Sequence, residues 1–205
     1  QVKEETMNKP KSYDETPSGN LPQITLGGHR AIIKQVEETK SKSGKQMIIV
    51  SIDFAAEDTQ PKYFENQYRA DTRADKKWPY KAVQYILTED SEGNTNRSFK
   101  SFCTSFEHSN NTQIQWGGSN WAGQFKNKRI GVVYGAVEEE YNGKLNTQNR
   151  IRYFCDDNKA LEQDVPDKKF LNTGIQTRAV TTQADSGDAE WMPFRDNGGD
   201  GLPFN

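Results

Sequence analysis

The chain has 205 residues, 32% of them hydrophobic, a mean hydropathy of −0.99 and a net charge of −2. That length suits one domain with extensions or two small ones, and the low hydropathy calls for substantial polar loops or tails. No apolar run approaches the roughly 18 residues a membrane-spanning helix needs, so no such span is expected.

The charge is unevenly spread. Residues 1–19 hold three bases and four acids, residues 20–155 nineteen bases and fifteen acids, and residues 156–205 five bases and ten acids. A basic body with an acidic tail suits a nucleic-acid surface joined to a protein-recruiting segment, and such a tail can compete with nucleic acid for the body. An excess of four bases over 136 residues is also mild enough to need no partner. The two cysteines, Cys103 and Cys155, fit no metal or redox spacing, which points to free thiols in a cytosolic compartment. The chain opens on Gln1 rather than Met, so a trimmed chain is expected, and no signal peptide is read from it.

Residues 1–20 are polar, with Pro10, Pro17 and Gly19, and read as a flexible lead. Ile24–Thr39 reads as a long strand, with Gly27-Gly28 marking a bulge or bend. Lys40-Ser41-Lys42-Ser43-Gly44-Lys45 is a basic turn, and Met47–Phe54 a second strand rich in β-branched residues. Lys62–Ala70 is expected to be a short third strand. Arg69, Arg73, Lys76 and Lys77 then crowd Trp78 and Tyr80. Bases interleaved with aromatics suit single-stranded nucleic acid, where each base offers a face to stack and each nucleotide a phosphate to neutralise. Equally, Trp78 and Tyr80 can be core anchors at the start of a helix.

Tyr80–Leu87 carries Ala82, Val83, Ile86 and Leu87 at helical spacing and is expected to be that helix. Phe99, Phe102, Cys103 and Phe106 predict an amphipathic helix whose aromatic stripe is core. A polar, glycine-rich loop over 109–119 holds Trp116, and Trp121–Phe125 leads to Lys126-Asn127-Lys128-Arg129. Ile130–Tyr141 and Arg150–Cys155 read as strands joined through Asn142-Gly143, a strong hairpin signal. In the return strand Arg150 and Arg152 share one face, with Ile151 and Tyr153 on the other. Leu161, Val165, Phe170, Leu171 and Ile175 are expected to pack as a short extension.

Two hairpinned strands, a third strand, a helical insert and two more hairpinned strands make a mainly β chain. Five strands with a helix between the third and fourth is the layout of an OB-fold barrel, which binds oligonucleotides across strands 2 and 3 and through the loops joining strands 1–2 and 4–5. Those loops are Lys40–Lys45 and Tyr141–Thr147. The expected organisation is a lead over 1–20, a nucleic-acid-binding domain over 21–156, an extension over 157–176 and a disordered acidic tail over 177–205.

No catalytic pattern emerges. His29 and His108 have no metal-like partners nearby, and Glu138-Glu139-Glu140 reads as a solvated strand end. There is no phosphate-binding glycine loop and no Ser or Cys nucleophile signature, so neither enzyme activity, metal nor cofactor is expected.

From Asp185 the chain holds Asp185, Asp188, Glu190, Asp196 and Asp200 against Arg195, with two apolar knots, Trp191–Phe194 and Leu202–Phe204. Such a segment buries too little apolar surface to fold alone. Its tip, with Asp200, Leu202, Pro203 and Phe204, resembles that of bacterial and phage single-stranded DNA-binding proteins. It departs from that tip in Gly201, which intervenes, and in Asn205, which follows Phe204. Leu21-Pro22, Ser41–Lys45 and Met47–Ile52 are similar to the opening of small phage replication proteins. The resemblance implies recruitment of replication or recombination proteins through the tip, in the cytoplasm of a bacterial host.

The expected function is therefore sequence-independent binding of single-stranded DNA in phage or mobile-element replication, recombination or repair. Lys40, Lys42, Lys45, Arg69, Arg73, Lys76, Lys77, Lys128, Arg129, Arg150 and Arg152 are the candidates for phosphate. Trp78, Tyr80, Trp116 and Trp121 are the candidates for stacking on bases. A homo-oligomer is compatible with the sequence. The alternatives are a protein-interaction adaptor and an RNA-binding module.

Overall fold

The structure, a computed structural model, describes residues 8, 9, 11 and 22–171. Five antiparallel strands form one sheet: β1 (Gly27–Lys40), β2 (Gln46–Phe54), β3 (Val83–Leu87), β4 (Arg129–Tyr141) and β5 (Lys144–Cys155), in the spatial order β3-β2-β1-β4-β5. Helix α1 spans Tyr63–Ala70 and helix α2 Arg97–Asn110. The chain is thus mainly β, with α2 between the third and fourth strands as the sequence predicts. Among the described residues no ladder joins β3 to β5, so the sheet is open along that seam. No helix among them is long and apolar enough to cross a membrane.

The strands follow their alternation where both halves of the pattern are clear. Ala31 and Ile33 point inward from β1 and are fully buried. Val36 is three residues further on, so strict alternation would turn it outward. A register shift between Ile33 and Gln35 restores it to the core. The β1–β4 register runs unbroken through Gly27-Gly28, so the bulge lies here, while Gly27 opens the strand at φ +104°. A second shift, at Val133/Tyr134, leaves Arg152 as the extra residue of β5. Ile151 and Phe154 consequently both face inward, and Tyr153 is turned out to solvent rather than sharing the face of Ile151. Phe99, Phe102, Cys103 and Phe106 form the buried stripe of α2, as expected, and close over Phe125, Ile130 and Phe154. Burial pushes the thiols of Cys103 and Cys155 up to about 12, so neither is a reactive thiolate.

Two elements exchange type relative to the sequence reading. Lys62–Ala70 is not a strand: Tyr63–Ala70 is α1. Its first turn has no cap of its own. The carboxylate of Asp53, at the end of β2, accepts from the backbone N–H of Phe64 (2.9 Å) and Glu65 (3.4 Å) as well as from that of Phe54 (2.9 Å). A strand residue thus satisfies the orphan donors of the helix. Tyr80–Leu87 is not a helix. Tyr80–Ala82 is one 3-10 turn, and Val83–Leu87 is β3 on the free edge of β2. Ala82 and Ile86 are buried, but Val83, Tyr85 and Leu87 form an outward row that helical spacing does not explain.

His29, on β1, is 1% exposed, with Nδ1 2.9 Å from the Asp58 carboxylate and Nε2 3.0 Å from the Thr25 carbonyl. Its ring lies parallel to Phe54 at 4.2 Å. Asp58 also accepts from the backbone N–H of Arg30 (2.8 Å) and Gln60 (2.9 Å), which pins the chain after β2 to β1. After β5 the chain forms a 3-10 turn, Asp157–Glu162, and crosses the sheet. Gly28 and Gly135 make room for it: a Cβ on Gly28 would lie 1.7 Å from the Ala160 carbonyl, and one on Gly135 2.7 Å from Pro166. Lys169 then pairs with β4, donating to the Ala136 carbonyl (2.9 Å) and accepting from the Glu138 N–H (2.8 Å). Leu161, Val165 and Phe170 on this strap are 48%, 54% and 68% exposed, so they do not pack as expected. Ile175 and the segment 177–205 lie outside the described residues, as do most of residues 1–20.

Candidate nucleic-acid interface

The β1–β2 turn is a compact basic loop. Gly44 sits at φ +81°, where only glycine is unstrained. The Ser41 N–H donates to the Lys45 carbonyl (2.8 Å), and the Ser41 hydroxyl accepts from the Lys45 N–H (3.1 Å). These bonds tie the backbone and leave Lys40 and Lys42 exposed and Lys45 half-buried. None of the three side chains has a carboxylate partner among the described residues.

From this turn an outward face runs along β2 and β3. Met47 opposes Leu87 and Ile49 opposes Tyr85, and the face is covered at its far end, where Ser51 opposes Val83 and is 1% exposed. Tyr85 is 46% exposed, and partial burial together with the Glu37 carboxylate, which opposes Ile49 from β1, pushes its phenol up. Helical spacing over 80–87 hides Tyr85 in the sequence, and the alternation Val83, Tyr85, Leu87 is the signal that points to it.

Beyond β3 the chain stays at the lysine end. The Thr88 N–H donates to the Gln46 carbonyl (3.1 Å), and the Thr88 carbonyl accepts from Asn96 (2.9 Å), whose side chain caps α2 by accepting from Ser98 (2.8 Å). Phe99, on the first turn of α2, touches Trp116 and Trp121, with centroids 6.3 Å and 6.2 Å away. Trp116 is 64% exposed and stacks on Trp121 at 5.7 Å. Gln115 and Gln124 clamp their loop through two reciprocal hydrogen bonds of 2.9 Å and 3.1 Å. The sequence-predicted Trp116 and Trp121 thus form one aromatic step, connected through α2 to the lysine turn.

The remaining predicted residues divide by their partners. Trp78 is half-buried, and its indole N–H donates to the Ile52 carbonyl (3.1 Å), which anchors it at the β2 edge. Arg69 pairs with Glu65 and Arg73 with Asp71, both guanidiniums 73% exposed. Hydrogen bonds from Arg73 hold the Asp71 carboxyl down at about 2. Such exposed pairs contribute little and exchange readily. Lys76 lies over the Tyr68 ring at 4.7 Å. Arg129 is locked between Asp157 (2.7 Å) and Glu57 (3.1 Å), and Arg152 donates to the Asp167 carbonyl (2.6 Å). Lys77 and Lys128 are exposed. Tyr80, 56% exposed, stands at the β3–β5 seam with the Arg150 guanidinium 4.2 Å above its ring. The expected β4–β5 loop over Tyr141–Thr147 shrinks to the two-residue turn Asn142-Gly143, both at positive φ, with Tyr141 70% exposed. Asp200, Leu202, Pro203 and Phe204 lie outside the described residues. Among the described residues no group of three or more His, Cys, Asp or Glu is placed to hold a metal ion. Compared with known proteins, the chain matches no family model and no curated sequence.

Proposed function

We propose that this chain binds single-stranded DNA without sequence preference, on an OB-like barrel whose closing line is the β3–β5 seam. The reading rests above all on one observation. Three lysines without carboxylate partners stand at the end of an outward β2–β3 face that carries Tyr85. That juxtaposes phosphate neutralisation with base stacking, the two terms of single-strand binding. The strand order, the helix between β3 and β4, and the approach of the seam edges support the barrel, which need be only partly closed. At that approach the Arg150 guanidinium lies 4.2 Å over the Tyr80 ring, and behind it the Tyr134 hydroxyl of β4 donates to the Lys81 carbonyl at 2.7 Å. Lys40, Lys42, Lys45, Lys77 and Lys128 neutralise phosphates first, with Arg69, Arg73 and Lys76 available by exchange. The role is non-catalytic, in replication, recombination or repair in a bacterial cytoplasm. The acidic tail recruits partner proteins through Leu202, Pro203 and Phe204.

A second reading, a protein-interaction adaptor, is favoured by the exposure of Leu161, Val165 and Phe170. Titration of the full chain with a dT oligonucleotide, read by tryptophan fluorescence at low and high salt, decides between them. Tight, salt-sensitive quenching supports the DNA reading; no binding at either salt discards it in favour of the adaptor. An RNA of equal length separates DNA from RNA preference.

A further inference from the structure

Arg150 and Tyr80 meet across the seam, one from β5 and the other from the turn that enters β3. The guanidinium is already engaged along one edge. Its Nε bonds Glu139 Oε1 and its Nη2 bonds Oε2 at 2.8 Å, so the side-on fork is filled and only the Nη1 end is left to meet a phosphate. The Arg150 side chain is 25% exposed against 73% for those of Arg69 and Arg73, so its guanidinium is far more sheltered, while the three carboxylates are alike in exposure. A two-point pair held by a sheltered guanidinium resists exchange, because an incoming phosphate would leave the half-buried Glu139 carboxylate unpaired. The flat face of the guanidinium is laid on one side of the ring of Tyr80, a residue 56% exposed.

We infer that Arg150 is a positioning residue: Glu139 locks its guanidinium over Tyr80, and the ring so held stacks a base of single-stranded DNA. This rests on the DNA-binding reading above. It assigns a role to Glu139, an acidic residue that charge alone would count against DNA binding, and removes Arg150 from the phosphate ledger. The sign of the Glu139 effect separates the two accounts. Removing a carboxylate near a polyanion ordinarily raises affinity. Here its removal frees the guanidinium from Tyr80 and lowers affinity.

The test is a dT titration of the full chain over a salt series, with thermal unfolding measured beside it. Glu139→Gln and Arg150→Lys should each weaken binding roughly tenfold, the scale of one lost stacking platform, with the salt slope unchanged. Tyr80→Phe should bind like the wild type, and in a Tyr80→Leu background Glu139→Gln should have no further effect. Unchanged or tighter binding by Glu139→Gln overturns the inference. So does an Arg150→Lys chain that binds normally while Arg150→Gln loses about 0.7 of salt slope, the signature of one phosphate contact. If Arg150 variants unfold, the contrast of Tyr80→Phe with Tyr80→Leu still decides, since equal affinities refute a stacking role for Tyr80. A wild-type chain that does not bind brings down the DNA reading itself, a result distinct from binding that is indifferent to Glu139.

Discussion

Neutralising the β1–β2 turn, with Lys40, Lys42 and Lys45 all changed to Gln, tests the phosphate assignment quantitatively. Five of the predicted cations, these three with Lys77 and Lys128, have no carboxylate, carbonyl or ring partner among the described residues. Each phosphate neutralised on a single strand contributes about 0.7 to the slope of log K against log salt, so five contacts give a slope of about −3.5. Raising salt from about 50 to 200 mM should then weaken wild-type binding roughly 100-fold. The triple variant keeps two contacts, a slope of about −1.4, and loses only about sevenfold over the same range. The measurement is the same fluorescence titration at four or five salt concentrations. The turn is held by Ser41, Gly44 and backbone bonds rather than by lysine ammonium groups, so the fold should survive the change. A triple variant with the wild-type slope would refute the assignment, because it would place the phosphates elsewhere. Arg129→Gln, by contrast, should change stability and leave the slope alone, since Asp157 and Glu57 hold that guanidinium.

Three further outcomes follow from single contacts. Tyr85→Ala should cost about 1–3 kcal/mol of oligonucleotide affinity without altering the salt slope; a reduced slope would mean that the change disturbs the lysine turn instead. Asp58→Ala should destabilise the fold by about 1–3 kcal/mol in urea unfolding, because it leaves the buried His29 ring and the Arg30 and Gln60 N–H groups without their acceptor. Burial raises the Asp58 carboxyl, but bonds from His29 and from the Gln60 and Arg30 N–H groups outweigh it and bring it below the ordinary 3.8. The folded value is depressed, so this carboxylate's stabilisation is present above 3.8 and is lost as pH falls through the folded value; Asp58→Asn should flatten that acid limb in a pH series of melts. Gly28→Ala should lower the melting temperature markedly and speed proteolysis of the strap, since its Cβ would meet the Ala160 carbonyl, whereas Gly118→Ala opens onto empty space and should be neutral.

Much of the sheet was legible because its strands announce themselves twice, by alternation and by their turns. Ala31, Ile33, Val132 and Tyr134 alternate, and Lys40–Lys45 and Asn142-Gly143 mark the two hairpins. The stripe of α2, Phe99, Phe102, Cys103 and Phe106, repeats every three or four residues over about two turns of a 14-residue helix and has no competing reading. The exchanged pair, α1 and β3, failed for a physical reason. Both are short, and five to eight residues hold too few repeats to separate a period of 3.6 from one of 2. What decides them is tertiary: Asp53 caps α1 from another strand, and β3 exists because β2 presents an open edge. Neither fact is local to the segment whose structure it determines.

The site shows the same division more sharply. Sequence supplies the inventory of cations, but a cation's availability depends on which acid the fold brings beside it. Arg129 and Asp157 are 28 residues apart, and nothing in the spacing marks them as partners. Arg150 stands opposite Gly135, and its side chain reaches Glu139, four residues further along β4, only because a two-residue turn sets the β4–β5 register. Folding therefore sorts one list of basic residues into structural pins, exchangeable pairs and open ammonium groups. The lysines of the β1–β2 turn escape because no acid lies within the turn and none pairs with them among the described residues. Charge counted along the chain measures the first list, whereas affinity and salt dependence are set by the last. A basic surface is thus better recognised by the acids missing from its neighbourhood than by the bases present in its sequence.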